Sequence, residues 1–355
     1  MGSTGIVEKI PCYLYKEDLD FSLPEEYREA YGYLPEESFE CVLRDENGKP
    51  RLHPDYFIET SPENAELFIF PHDLNRMINL FHSGRTTLFL KNLPYLSGRE
   101  ARHVFSDTGD FAQCVDLPVC LLKRSVIAPG SGHYPGLPFV YKNAGLNSPN
   151  CIVTWYDLPK HVEEDKPSFA WGGLRYDSSF VGAYTNITRN MACKAAEREE
   201  GLRFYSGGFE KVTTEKEFFR FAELTPEEER ARERTFREVT KASLTVLCPP
   251  GVGPQSFRMY ECMYYGRIPV LFLDKIRYPL EHLITYEDFC LFIDEKDIML
   301  TGKVILDFIR SHTLDELHQK CVLACKTWNK YFRRQDRVGR LAALLREYKD
   351  ALPGA

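Results

Sequence analysis

Residues 243–274 read SLTVLCPPGVGPQSFRMYECMYYGRIPVLFLD. Ser243 to Cys248 is a short apolar run rich in β-formers, the pattern of a buried strand. Pro249 to Pro254 is a Pro/Gly loop in which extended structure must stop. Gln255 to Tyr265 can form a helix, and Gly266 stands where a C-cap glycine belongs. Ile268 to Leu273 is a second apolar run that ends on Asp274. Strand, glycine loop, helix and strand together make one βαβ unit.

The loop has chemical consequences. Gly251 and Gly253 carry no Cβ, so a ligand can approach the backbone closely. The start of the helix offers unpaired N–H groups and a partial positive charge, which suits a phosphate. Ser256 can cap that helix or bond an anion. Arg258 can fork onto phosphate oxygens. Glu261 lies three residues further on, on the same helix face, where a carboxylate could hold a pair of ribose hydroxyls. A nucleoside diphosphate fits this set. A plain strand–helix turn with a surface Arg–Glu pair fits the spacing at least as well.

A likeness to a known family separates these readings. The stretch resembles the signature of the exostosin family of inverting glycosyltransferases. Its positions fall here on Pro250, Gly251, Ser256, Arg258, Glu261, Gly266, Ile268, Pro269, Val270 and Asp274. The match keeps residues of different types in order over about 25 positions. Cys262 departs from it, since the family usually has Ala there. The later YPLEHLITYEDFCLFIDEKDI also resembles the family's tail. Before residue 180 the likeness is patchy, with a loose similarity to exostosin-like xylosyltransferases of large algal viruses.

The 355 residues allow one large or two ordinary domains, and the 43% hydrophobic content supplies a sizeable core. A net charge of −7 and the lack of a Lys/Arg block argue against nucleic acid. RRQDRVGR at 333–340 is the most basic patch and reads as a solvated helix face. Eleven scattered cysteines without CxxC pairs indicate reduced thiols. No apolar run reaches membrane-spanning length, and no signal peptide opens the chain. The expected location is therefore the cytoplasm, of a host cell if the protein is viral. A trimmed form of an anchored relative would belong in the Golgi lumen.

Further along the chain, Ile10 to Tyr15 reads as a first strand. In SPENAELFIFPHD, Thr60 or Ser61 can cap a short helix, and Leu67 to Phe70 forms a buried strand with Asp73 beyond its end. Ligands bind outside such strand ends in open α/β sheets. Asp73 can equally be the N-cap of the helix that comes next. Thr87 to Leu90 reads as another strand. LSGREARHVFSDTGDFAQC resembles a plant-type exostosin pattern at His103, Phe105, Asp110 and Phe111, although Arg102 replaces the family's Asp. Asp107 and Asp110 in a glycine-containing turn are otherwise turn formers. Pro118 to Arg124 and Asn150 to Tyr156 look like further strands. HVEEDKPS (161–168) reads as a linker. Gly182 and Arg189 match a family pattern in which the Arg turns toward the diphosphate. The charged stretch 215–241 reads as an exposed helix, and 313–348 as a long amphipathic helical stretch.

Alternating strands and helices predict an α/β chain of two doubly wound, Rossmann-like domains. The resemblance implies the GT-B arrangement, with the domains facing each other across a cleft. Residues 1–165 would bind the acceptor and 166–329 the nucleotide sugar, with a C-terminal helix at 330–355 crossing back to the first. The implied activity is transfer of a sugar, xylose by preference, from a UDP-sugar to a hydroxyl of a glycan acceptor, with inversion. Donor contacts are Arg258, Ser256, Glu261, Arg189, Gly251, Gly253, Pro250 and Gly182. The base is Asp73, then Asp110 or Asp107. His103 and His72 are acceptor contacts, with a packed, hydrogen-bonded histidine as the alternative for His103. No metal or other cofactor is expected, and the DLD at 18–20 is incidental. Nucleic acid and a membrane span are not expected. The alternatives are a catalytically silent exostosin-like glycan-binding protein and a nucleotide-cofactor oxidoreductase. GVGPQS lacks the third glycine of the dinucleotide fingerprint, which counts against the oxidoreductase.

Overall fold

The computed structural model describes residues 8–16, 41–107, 117–123, 126–127, 151–163, 165, 173–182, 187–207, 225–250, 255–272 and 276–353. Asp18, Asp20, Asp110, Gly251, Gly253 and Asp274 lie outside them. The chain divides into two compact units. The first takes the described residues up to 127, then 151–154 and the C-terminal 334–353. The second takes 155–333. The boundary thus falls at 154/155 rather than at 165. The segment read as a linker carries a helical turn at Lys160–Glu163 and packs into the second unit. There the Tyr264 hydroxyl donates to the Asp165 carbonyl at 2.7 Å, and Lys241 Nζ lies 2.5 Å from the Asp165 carboxylate.

The first unit is built on a six-stranded parallel sheet. Its strands are β1 (Ile10–Leu14), β2 (Phe57–Glu59), β3 (Leu67–Asp73), β4 (His103–Asp107), β5 (Cys120–Lys123) and β6 (Cys151–Val153), in the order 2-1-3-4-5-6. Every residue of β3 and β4 is buried. Such strands are covered on both faces and need apolar side chains in succession. Pro71 has no N–H to give to the ladder, and the β3–β4 register shifts between Ile69 and Asp73. The irregularity sets Asp73 opposite Ser106.

Two local expectations fail in this unit. Residues 61–65 make turns rather than a short helix. Thr87–Leu90 is not a strand but part of helix α1 (Leu74–Lys91), which kinks at His82 (φ 63°). Thr86 and Leu90 are buried while Leu88 is exposed, so burial there follows a four-residue spacing and not an alternation.

The second unit holds a five-stranded parallel sheet: β7 (Tyr176–Val181), β8 (Phe204–Gly207), β9 (Ser243–Cys248), β10 (Ile268–Leu271) and β11 (Leu291–Phe292), ordered 8-7-9-10-11. Its helices are α2 (Ile187–Glu197), α3 (Pro226–Lys241), α4 (Arg258–Tyr264), α5 (Thr301–Ser311) and α6 (Leu314–Tyr331). The cores of this unit gather Phe180, Leu247, Val270, Ile293 and Ile305 in one cluster and Leu244, Ile268 and Leu317 in another. Each such side chain contributes about 1.5–3 kcal/mol by leaving water. A capping box at Thr225 and Glu228 starts α3, and another at Thr313 and Glu316 starts α6. Helix α7 (Arg337–Asp350) belongs to the first unit, where the Tyr348 hydroxyl donates to the Ala101 carbonyl and Lys349 pairs with Glu66. Within the basic patch, Arg337 is buried rather than solvated.

The ten described cysteines are free thiols, and nine are buried. Among the described residues no helix is long and apolar enough to cross a membrane.

Gly266 closes α4, in keeping with its place in the sequence. Its φ is +59°, its N–H reaches the Met263 carbonyl at 3.1 Å, and the Arg267 N–H reaches the Cys262 carbonyl at 2.9 Å. That pair of bonds is a Schellman motif, which needs a left-handed residue between them. Gly266→Ala should lower the unfolding free energy by about 1–2 kcal/mol, measured by urea denaturation.

Candidate functional site

In the second sheet the strand order reverses between β7 and β9. Ligands of open α/β sheets bind outside the carboxyl ends of the strands that flank such a reversal. Gly182 follows β7 directly, and Pro249 and Pro250 follow β9. Arg189 stands on the first turn of α2, the helix after β7. Arg258 opens α4, the helix after β9. Local topology therefore brings two arginines from separate stretches of chain to one point.

Arg258 is held firmly. Its guanidinium carbon lies 4.7 Å from the ring centre of Phe236, 5.7 Å from that of Phe257 and 5.9 Å from that of Phe180. Only 12% of its side chain is exposed, so it is not turned to bulk solvent. Cation–π attraction to three rings restrains a flat guanidinium better than it would a rotating ammonium. A Cβ on Gly182 would stand 3.2 Å from Arg258 Nη2 and 3.2 Å from the Phe180 ring, so the missing side chain leaves space for the guanidinium. Arg189 is anchored by its Nε, which donates to the Pro250 carbonyl at 3.1 Å. Pro250 thus acts through its backbone oxygen on an arginine. Burial first, and the positive charge of Arg258 second, hold the Arg189 pKa down to about 10. Two cations close enough to disfavour one another gain stability from an anion placed between them.

Helix α4 starts later than its sequence suggested, at Arg258 instead of Gln255, and has only seven residues. Phe257, with helical dihedrals, takes the N-cap position and no side chain caps the helix. The cap expected of Ser256 is therefore absent; its backbone carbonyl accepts from the Met259 N–H at 3.1 Å. A two-turn helix carries little dipole, so the anion-binding capacity rests on the guanidiniums.

Met259 to Tyr264 are all buried, and α4 packs on α6 through Tyr264 and Trp328, whose ring centres are 4.7 Å apart. In this apolar setting Glu261 is 3% exposed, and its Oε2 is 3.9 Å from Arg258 Nη1. The distance is an ion-pair contact and not a hydrogen bond; among the described residues both atoms lack a hydrogen-bond partner. Burial pushes the Glu261 carboxyl up to about 7, against the opposing pull of Arg258. Gln255 is 4% exposed, and among the described residues neither of its amide atoms has a hydrogen-bond partner. Glu261 was expected to be open to a ribose; its carboxylate is instead largely closed over by protein.

In the first unit the strand order reverses between β1 and β3, and Asp73 is the last residue of β3. It occupies the N-cap position of α1 without a side-chain capping bond, and it is fully buried. Asp107 is no turn residue. It ends β4, a strand the sequence did not reveal, and its Oδ2 lies 2.5 Å from Lys123 Nζ at the paired end of β5. Both side chains are buried, and breaking such a pair by removing one partner costs about 3–5 kcal/mol. Asp107 is thereby committed to Lys123.

The two histidines expected at the acceptor are core residues. His103 is fully buried, with Nδ1 2.9 Å from the Arg99 carbonyl and Nε2 2.9 Å from the Tyr15 hydroxyl. Its ring stacks on Phe68 at 4.6 Å. Burial holds its pKa down to about 4. His72 is 1% exposed, with its ring edge-on to Phe70, and burial together with the charge of Arg44 lowers it to about 3. Neither ring is open to a glycan.

Sequence reasoning missed Phe236, Phe180 and Phe257 as the rings around Arg258. The only signal for Phe236 was its place among the few apolar residues of the charged stretch 226–241.

The 243–274 stretch falls within a segment that resembles known proteins. Residues 193–307 match the model of the Exostosin GT47 domain. It is 39% identical over 64 residues to the probable beta-1,4-xylosyltransferase IRX10L of Arabidopsis thaliana, which is 18% of this chain and 15% of that protein. It is 34% identical over 85 residues to a probable glucuronosyltransferase of Oryza sativa subsp. japonica, or 22% of this chain and 20% of that protein. The chain therefore matches a fifth or less of the length of these relatives. Among solved structures, Anabaena Alr3699/HepE in complex with UDP is similar over 79% of this chain and 72% of its own, at 9% identity and a TM-score of 0.40.

Because the folded Glu261 carboxyl keeps its proton up to about pH 7, whereas its ordinary value is 4.5, folding gains from it most below pH 4.5. That contribution fades as the pH rises to about 7. Glu261→Gln should remove the slope. The variant should match the native protein near pH 4 and exceed it at pH 8 by on the order of 3 kcal/mol, read from urea unfolding across that range.

Proposed function

We propose that the chain is an exostosin-type, inverting glycosyltransferase that moves xylose from UDP-xylose to a hydroxyl of a glycan acceptor. The convergence of Arg189 and Arg258 at the strand-order reversal of the second sheet carries this reading. Two guanidiniums supply the charge that a leaving nucleoside diphosphate requires. Their geometry matches phosphate oxygens, and their mutual repulsion is relieved once the anion is bound. As the sugar–phosphate bond breaks, negative charge grows on the β-phosphate, and fixed cations stabilise that charge more than the ground state. We assign this role to the arginines and none to a metal ion. The names of the plant relatives, which include xylosyl- and glucuronosyltransferases, support sugar transfer, and the UDP donor and xylose are our narrower assignments.

We assign the donor to the second unit and the acceptor to the first, as the exostosin resemblance implies. We assign the general base to Asp73 of the first unit. It ends β3 at the reversal of that sheet. In the reaction the acceptor oxygen attacks the anomeric carbon from the face opposite the diphosphate. Its proton passes to the Asp73 carboxylate, and the bonding electrons leave with UDP. Asp73 is fully buried, so acceptor binding must uncover it.

Arg258→Ala should weaken UDP binding at least tenfold by calorimetry, with Arg258→Lys intermediate because an ammonium lacks the fork. Unchanged affinity in both variants removes the diphosphate site. Adding EDTA to the native protein should leave UDP affinity unchanged. Asp73→Asn should reduce transfer by two to four orders of magnitude while UDP affinity stays within about twofold. Normal turnover in that variant transfers the base role to another carboxylate.

A further inference from the structure

Two cysteines of the second unit lie in contact. Cys248 ends β9, directly before Pro249 and Pro250, and Cys262 stands within α4. Both are buried free thiols, and their Sγ atoms are 3.7 Å apart. A free thiol usually packs as a small apolar group, and its reactivity is what gives it a role beyond packing. The two ends of this pair are not equally fixed. Cys248 belongs to a central strand between β7 and β10, is paired with Leu271, and donates its S–H to the Val246 carbonyl at 3.4 Å. Helix α4 has only seven residues and no side-chain cap. A disulfide has its sulfurs about 2.05 Å apart, so this pair must close by about 1.7 Å to form one. The short helix is the element that yields.

We propose that Cys248 and Cys262 are a redox-sensitive pair whose oxidation to a disulfide draws α4 toward β9 and loosens the hold of Arg258 on an anion. The effect on Arg258 rests on the proposed donor site; the disulfide does not. Cys262 lies four residues after Arg258, one turn along the same helix face. A shift of α4 carries the backbone of Arg258 with it, while Phe236 stays with α3 and Gly182 with the end of β7. The guanidinium is already fitted to both, 4.7 Å from the Phe236 ring and against the space at Gly182. A forked contact with phosphate depends on that placement. Hydrogen peroxide is an oxidant small enough to enter when α4 opens locally. One thiolate attacks a peroxide oxygen, the O–O bond breaks, and a sulfenic acid and one water result. The second thiol attacks the sulfenic sulfur, the S–S bond forms, the S–O bond breaks, and a second water leaves. Two thiols thus give up two electrons and two protons, and one peroxide becomes two waters. Burial raises the Cys262 thiol well above its ordinary range, so the closed pair is inert and reaction goes through the opened helix. A diphosphate that holds Arg258 in place opposes the disulfide by the same coupling.

The full chain, reduced and then treated with hydrogen peroxide in the presence and absence of UDP, tests the pair by peptide mass mapping and by calorimetric titration with UDP. Oxidation should yield a linked peptide that joins Cys248 to Cys262 and is lighter by two hydrogen atoms than the two reduced peptides. UDP affinity should fall at least about fivefold, the size of one weakened hydrogen bond to a charged group, and dithiothreitol should restore it. UDP present during oxidation should slow the appearance of the linked peptide. Cys262→Ala should bind UDP as the native protein does and keep that affinity after peroxide; Cys248→Ala replaces it if it folds poorly. Absence of the linked peptide at a peroxide concentration that oxidises the partly exposed Cys325 overturns the pair. A linked peptide with unchanged UDP affinity overturns the coupling to Arg258. So does a loss of affinity that persists in the peroxide-treated alanine variant. If Arg258→Ala leaves UDP binding intact, the donor site itself is wrong and the coupling goes with it, whereas the disulfide is judged by the linked peptide alone.

Discussion

The second unit depends on how one guanidinium is confined. Arg258 sits among Phe180, Phe236 and Phe257, contributed by β7, by α3 and by the residue before α4. Each ring weakly attracts the cation, and together they leave it few orientations. The absence of a side chain at residue 182 makes room for its Nη2, and the Pro250 carbonyl fixes the second arginine nearby. Placing like charges together costs stability, and an anion bound between them offsets that cost. Helix α4 repeats the theme, since its Arg258 and Glu261 are buried where apolar side chains would pack with less penalty.

The first unit solves a different problem. A proline inside a central strand breaks the hydrogen-bond ladder, and β3 tolerates Pro71 by a shift in register. The shift falls just before His72 and Asp73, and it sets a carboxylate at the point where the strand order reverses. On the next two strands, the same edge of the sheet carries the buried Asp107–Lys123 pair. Ion pairs this closed to water seldom add net stability over apolar packing. The carboxyl end of this sheet is therefore polar and buried at once, in contrast to the aromatic stack of Phe68, His103 and Tyr15 elsewhere on its strands.

Much of this architecture could be read from residue order. The run Ser243–Cys248, the break at the prolines, the glycine at 266 and the run from Ile268 are local signals, and each formed the element it indicated. Apolar runs with turn residues between them revealed the alternation of strand and helix, because burial on both faces of a parallel strand demands consecutive apolar residues. The errors also have local causes. TTLFL has the composition of a strand, yet its burial pattern is helical once Leu74, Met77 and Ile78 have started α1. His103 and His72 looked available because histidine is a common site residue. Their burial depends on neighbours far away in sequence, such as Tyr15 and Arg44.

The sequence by itself determined the βαβ units, the family signature and the residue types able to grip a diphosphate, since each is set by composition and spacing over a few turns of chain. Only the tertiary structure decided which of those residues meet. Strand order, not residue order, brings Arg189 to Pro250 and sets Phe236 beneath Arg258. The same packing encloses Glu261 and Gln255 and turns them from ordinary polar residues into unpaired buried groups. Desolvation arises from everything that surrounds a side chain, and that environment is assembled from segments no local pattern connects.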